Sequence, residues 1–171
     1  MEEKDKPEAA LAGFDEAHSA FRDVIDQAPE SSLGYLKPGD DYALGGLVYH
    51  VNAVLEHYLG VLDALRASDF NEVEPRDRPG LFEEANARAK SGLDPSERDG
   101  ALAATDRLHA DVRAAMAAFA EGDVKRKAPV RYGPGAEPYP TSPADVLGWL
   151  TDHYREHVPH AEQLLTSWRG E

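Results

Sequence analysis

The stretch Asp152–His160 reads DHYREHVPH and places His153, His157 and His160 at i, i+4 and i+7. Imidazoles at that helical spacing either line a solvated face or turn their lone pairs toward one divalent cation. Which of the two holds depends on where the face points. Val146 and Leu150 before the trio, and Leu164 and Trp168 after it, continue the same steps of three and four. At about 100° per residue, His153 and His157 lie about 40° apart and His153 and His160 about 20° apart. The histidines therefore extend an apolar stripe and are expected to face an interior. A buried imidazole needs partners for both ring nitrogens. A shared cation supplies one, and an acceptor behind each ring supplies the other.

The opposite wall is sought in GGLVYHVNAVLEHY, where His50 falls three residues after Leu47 and four before Val54. One histidine from that helix and an i, i+4 pair from another would make an ordinary interior site of a helical bundle. His57, beside Glu56 and Tyr58, reads as a solvated or helix-pairing residue. His18 and His109 sit near apolar stripes and read as core histidines bonded to a carbonyl or water. Spacing alone leaves open whether His160 or His57 joins or replaces one of the ligands. Pro159 has no N–H to return to the Arg155 carbonyl, so a kink is expected near His157 that turns His160 toward or away from the site. No residue stands out as a catalytic acid or base. Asp152 and Glu156 are expected off the buried face, and Glu56 is near the histidines only in sequence.

Four segments of helical period must position these residues. The first spans about 9–27, with Leu11, Phe14, His18, Phe21 and Ile25 on one stripe, and Pro29 blocks its continuation. The second spans about 42–67, with Asp40 or Asp41 as candidate cap. The third spans about 95–120, with Gly122 as its stop. The fourth opens at TSPADVLGWL, with Ser142 as N-cap, Pro143 at the first helical position and Asp145 favourable to the dipole, and runs to about Trp168. A long charged connection joins the second and third segments, and its residues 80–90 could form a short surface helix. A Pro/Gly-rich loop, GDVKRKAPVRYGPGAEPYPTS, precedes the fourth, with one extended piece expected at 128–132. The expectation is an all-α, four-helix bundle forming one domain over residues 1–171, with residues 1–8 as a flexible tail.

Composition narrows the function classes. Of 171 residues, 18 are Lys or Arg and 32 are Asp or Glu, a net charge of −14. Such a surface repels phosphate backbones and anionic lipid, so neither nucleic acid nor membrane is an expected partner. Cysteine is absent, so a metal must be held by His, Asp or Glu, and any thiol chemistry must use a thiol from outside. The acidic start MEEKDKPEAA is not a secretory signal, and no run approaches the ~20 apolar residues of a membrane span. A cytoplasmic location is expected by elimination. The basic cluster KRKAPVR (Lys125, Arg126, Lys127, Arg131) is expected to pair with surface carboxylates rather than border a pocket. Tyr49, Tyr58, Trp149 and Tyr154 are expected to be core rather than pocket lining.

With those residues placed, the chain resembles the DinB/YfiT-like family of metalloenzymes. KPGDDYALGGLVYHVNAVLEHY is similar to the family's approach to its second helix, and SPADVLGWLTDHYREHVPHAEQL to its fourth, over about residues 9–168 in all. The resemblance implies a four-helix bundle with a metal on three histidines, here His50, His153 and His157. It departs at His160, where relatives often carry glutamine, and at Pro159. Three imidazoles leave positions open for water or substrate, as in a catalytic site. Zinc or nickel suits them best, with iron or manganese as further candidates. Such a cation would activate either water, toward hydrolysis, or a thiol whose ordinary pKa is about 8.5. Characterised relatives include thiol S-transferases and a mycothiol-dependent isomerase, so the resemblance implies a small-molecule substrate, a low-molecular-weight thiol and a homodimer. The rival expectation is a non-catalytic metal-binding or dimerising stress-related bundle.

Overall fold

Proline at the first helical position and an apolar step of three and four open the chain's first helix, α1 (Pro7–Asp26), which buries Phe14, Ala17, Phe21 and Ile25. The computed structural model describes residues 7–171. Of the tail expected at 1–8, residues 1–6 lie outside the described residues, and Pro7 and Glu8 are already helical. The other helices are α2 (Leu47–Ala67), α3 (Leu81–Ser91), α4 (Arg98–Ala117) and α5 (Pro143–Arg169). A two-stranded antiparallel sheet, β1 (Ala128–Val130) and β2 (Tyr139–Thr141), pairs Ala128 with Thr141 and Val130 with Tyr139. β1 falls within the extended piece expected at 128–132, whereas β2 carried no alternation in sequence. Among the described residues, no helix is long and apolar enough to cross a membrane.

The four long helices close a ring: α1 packs on α5, α5 on α2, α2 on α4, and α4 on α1. Phe14, Phe21, Leu55, Leu62, Leu102, Leu150 and Tyr154 fill the centre at 0–1 % exposure. Helix α3, anticipated at 80–90, lies on α2. The long α2–α3 connection is tied to the sheet by one parallel bridge, Val73 to Val130, with the Arg131 N–H donating to the Val73 carbonyl at 2.8 Å.

Three expected boundaries are corrected. Helix α4 is three residues shorter at each end than 95–120. Pro95–Glu97 forms a tight 3-10 turn that the Asp94 side chain caps, and the helix closes at Ala118, ahead of Gly122. Helix α2 starts at Leu47, five residues after the expected Tyr42, because tertiary partners take the N–H groups that precede it. Ala43 donates to the Ala89 carbonyl at 2.8 Å, Leu44 to Tyr35 at 2.9 Å and Gly45 to Leu33 at 3.0 Å. Gly46 sits so close to α3 that a β-carbon there would lie 1.9 Å from the Ala89 oxygen, so only glycine allows this docking. Neither Asp40 nor Asp41 caps α2; its N-cap is Gly46, with no side-chain bond.

Helix α5 begins as expected. Ser142 accepts from the Asp145 N–H and the Asp145 carboxylate accepts from the Ser142 N–H, a reciprocal cap that sets the phase of the 27-residue helix. Pro159 does not break it: helix continues from Pro143 to Arg169. Arg155 and Pro159 are both exposed, so solvent can satisfy the carbonyl that loses its bond.

Candidate metal centre

The late start of α2 leaves His50 one turn inside that helix and facing α5. The cap of α5 places His153 and His157 on the same inner stripe as Leu150 and Leu164. The three side chains meet. His50 Nε2 lies 3.0 Å from His153 Nε2, which lies 3.1 Å from His157 Nε2. All three offer a ligand atom within 4.8 Å of the others, and they form the group of this kind found among the described residues. Nitrogens held about 2.0–2.1 Å from a tetrahedral zinc stand about 3.3–3.4 Å apart, so the spacing differs from a loaded site by a few tenths of an ångström.

Electrostatics suit the same purpose. Burial, then repulsion from His153, His50 and His160, pushes His157 down to about 3, against the pull of Asp40. Burial and the neighbouring His50 push His153 down to about 4. His50 is lowered by burial and by His160. All three rings are thus neutral near pH 7, and each has one ring nitrogen without a proton, the form a cation binds.

Two residues outside the trio complete the surroundings. The Tyr42 ring stacks on His50 with 4.5 Å between centroids at 30°, and meets His157 edge-on at 6.1 Å. His160, rather than joining the triad, turns its Nε2 to Asp40 Oδ2 at 2.9 Å and faces His157 Nδ1 with its own Nδ1 at 3.3 Å. Asp40 and Tyr42 were not anticipated here. Asp40 looked like a helix cap, and nothing local shows that a loop more than a hundred residues upstream will meet His160. Tyr42 also lines a surface cavity of ≈ 450 Å³ with Asp41, Asn86, Ala87 and Lys90.

The remaining candidates lie elsewhere. His57 Nδ1 pairs with Asp77 at 2.8 Å and does not reach the triad. His18 and His109 form a second cluster between α1 and α4. Their rings stack at 4.0 Å, and Phe14 stacks on His109 at 4.1 Å. Their partners are carboxylates rather than the expected carbonyl or water: Asp106 for His18 and Asp15 for His109, each at 2.9 Å. Tyr154 OH reaches His109 Nδ1 at 3.3 Å, and Tyr154 is core at 1 % exposure. Asp152 and Glu156 are exposed, and Glu56 pairs with Arg78. The basic cluster meets surface carboxylates: Arg126 with Asp69 and Asp123, Lys127 with Asp145, Arg131 with Glu72. Tyr49 bonds Glu97 and Arg88, and Tyr58 packs on Trp149.

The architecture has known counterparts. A mycothiol-dependent maleylpyruvate isomerase superposes with a TM-score of 0.68 at 14% identity, over 90% of this chain and 60% of the isomerase. A conserved protein from Enterococcus faecalis superposes with a TM-score of 0.62 at 16% identity, over 100% of this chain and 99% of that one. The chain thus spans about three fifths of the isomerase's length, and at these identities the likeness is one of fold. No functionally curated protein matches the sequence. The sequence model of the DinB superfamily matches residues 13–161, which include all three converging histidines, and the chain belongs to that superfamily.

Proposed function

We propose that this protein is a metal-dependent enzyme in which His50, His153 and His157 hold a divalent cation that activates a low-molecular-weight thiol, in an S-transferase-like reaction. The observation that carries the reading is the convergence of three neutral imidazoles, from two helices, on one point. Zinc or nickel fits that donor set best, with iron or manganese as further candidates. Such a cation, when bound, stabilises a thiolate or a hydroxide at neutral pH.

The protein's own residues favour the thiol over water. A thiol with an ordinary pKa of about 8.5 needs far less help to ionise than water does. Against the upward push of burial, hydrogen bonds from His160 and the Tyr42 N–H hold Asp40, the carboxylate joined to the triad through His160, below the ordinary carboxylate value, which makes it a weak base. The fold is shared with an isomerase whose name records dependence on a thiol. The cavity bordered by Tyr42 is of small-molecule size. The proposal includes one domain over residues 1–171, a cytoplasmic location and a homodimer.

Elemental mass spectrometry on untagged protein, followed by thiol-transfer assays with a low-molecular-weight thiol and an aryl halide, tests the reading. Near-stoichiometric metal in the wild type, lost in His50→Ala and His157→Ala together with transfer, is the expected result. Metal without transfer, but with ester hydrolysis, moves the reaction to the hydrolase class. Metal with neither activity leaves the non-catalytic metal-binding bundle. No metal uptake from zinc, nickel or manganese ends the proposal.

A further inference from the structure

We propose that Asp40 and His160 form a positioning arm that holds His157 in the tautomer whose Nε2 is bare toward the triad. The reading of the triad as a metal site gives the arm its purpose, but its effect on His157 can be measured without metal.

The argument is one of donors and acceptors. A carboxylate only accepts, so the 2.9 Å contact between His160 Nε2 and Asp40 Oδ2 places a proton on His160 Nε2. A neutral imidazole carries one N–H, so His160 Nδ1 is then an acceptor. It faces His157 Nδ1 at 3.3 Å, and two facing ring nitrogens bond only if one of them donates. The proton must therefore sit on His157 Nδ1. His157 Nε2, 3.1 Å from His153 Nε2, is left as a bare lone pair. A single carboxylate thus dictates, two rings away, which nitrogen of His157 is free.

Asp40 serves the other wall with its second oxygen. Oδ1 accepts the Tyr42 N–H at 3.0 Å, and the Tyr42 ring lies stacked on His50. The loop that carries both residues is anchored by its own backbone, Asp40 to Lys37 at 2.9 Å and Ala43 to Ala89 at 2.8 Å. One loop residue therefore orients histidines on α2 and α5 together. Asp40 and His160 are 20% and 25% exposed, a partly sheltered pair rather than a solvated surface one.

Three variants, compared with the wild type in two readouts, test this: Asp40→Ala, His160→Leu and His160→Gln. Zinc affinity is read by competition with a chromophoric chelator, and the His157 tautomer by nitrogen-15 imidazole NMR of the metal-free protein. The expected result is a loss of about 10–100-fold in affinity for Asp40→Ala and His160→Leu, with His157 moving toward the Nε2–H tautomer. His160→Gln should stay within a few-fold of the wild type and keep the Nδ1–H tautomer. Its amide oxygen can accept from His157 while its NH2 donates to Asp40. If Asp40→Ala does not fold, the two His160 variants carry the comparison. Unchanged affinity in His160→Leu, with zinc bound to the wild type, overturns the arm, as does an Nε2–H tautomer in the wild type. If the wild type binds no zinc, the metal reading fails separately, and the tautomer shift between wild type and His160→Leu still decides the arm.

Discussion

His50 on α2 and His153 on α5 bring their Nε2 atoms to 3.0 Å, although 103 positions separate them in the chain. At that distance the two nitrogens either share one proton or set lone pair against lone pair, and His157 Nε2, 3.1 Å from the same His153 nitrogen, crowds the point further. A cation turns this unfavourable convergence into three favourable bonds, so the bundle should be markedly more stable with metal than without. At free zinc a hundredfold above Kd, linkage contributes about 2.7 kcal/mol. Wild-type protein is expected to show that gain in denaturant unfolding, while His50→Ala, His153→Ala and His157→Ala show almost none. Without metal, the same variants should unfold within about 1 kcal/mol of the wild type, because each removes repulsion along with packing.

Acid should unsettle the metal-free protein earlier than its carboxylates alone would cause. Burial, then charge repulsion, lowers His157 to about 3 and His153 to about 4. The unfolded chain therefore binds these protons first, at the ordinary histidine value of about 6.5. Stability is full above about pH 6.5 and falls as pH drops through the window from there to about 4 for His153 and about 3 for His157. His109, also lowered by burial, adds to the same window. Urea unfolding at pH 7.5, 6 and 5 measures it, and a His153→Leu/His157→Leu double variant should flatten the slope. Proton competition for zinc at His153 and His157 should set in only near pH 4 and below, where these rings begin to protonate in the folded protein.

Gly46→Ala is expected to be costly far beyond its size. Its β-carbon would meet backbone, 1.9 Å from the Ala89 oxygen and 2.6 Å from the Ala89 carbonyl carbon, so α2 and α3 must part. Overpacking of this kind costs about 1–3 kcal/mol, and a rigid backbone neighbour places the substitution at the upper end. The segment that would move carries Asp40 and Tyr42, so zinc affinity should fall as well. Thermal melting and chelator competition on the same sample report both effects.

Removing Asp15 should separate the two histidine clusters. His109 is 6% exposed, and its Nε2 is satisfied by Asp15 at 2.9 Å. Asp15→Leu strands that buried nitrogen, at a cost of about 1–3 kcal/mol, whereas the Arg113 guanidinium that shares the carboxylate is exposed enough for water to take its place. Zinc affinity should not change, because no hydrogen bond of this cluster reaches the triad. A parallel loss of zinc would show that the two clusters are coupled through Tyr154.

The sequence by itself determined the elements and the inward face of the fourth long helix. The apolar steps of three and four from Val146 to Trp168, and the Ser142–Pro143–Asp145 start, are local patterns whose energy depends on neighbours along the chain. They therefore read correctly without a fold. His153 and His157 were placed by the same periodicity, and His50 by its position on the flank of α2. Tertiary structure decided the rest. Helix α2 begins at Leu47 because Ala43, Leu44 and Gly45 give their N–H groups to Ala89, Tyr35 and Leu33, partners that no local rule can name. That choice converts Asp40 from an expected helix cap into the partner of His160 and lays Tyr42 on His50. It also separates the histidine that orients from the histidines that converge. Spacing put His160 only about 20° from His153 on the helix, and a distant carboxylate drew its ring away. Angle along a helix is a property of sequence. Which nitrogen faces which partner depends on contacts across the bundle, and these exist only once the chain has folded.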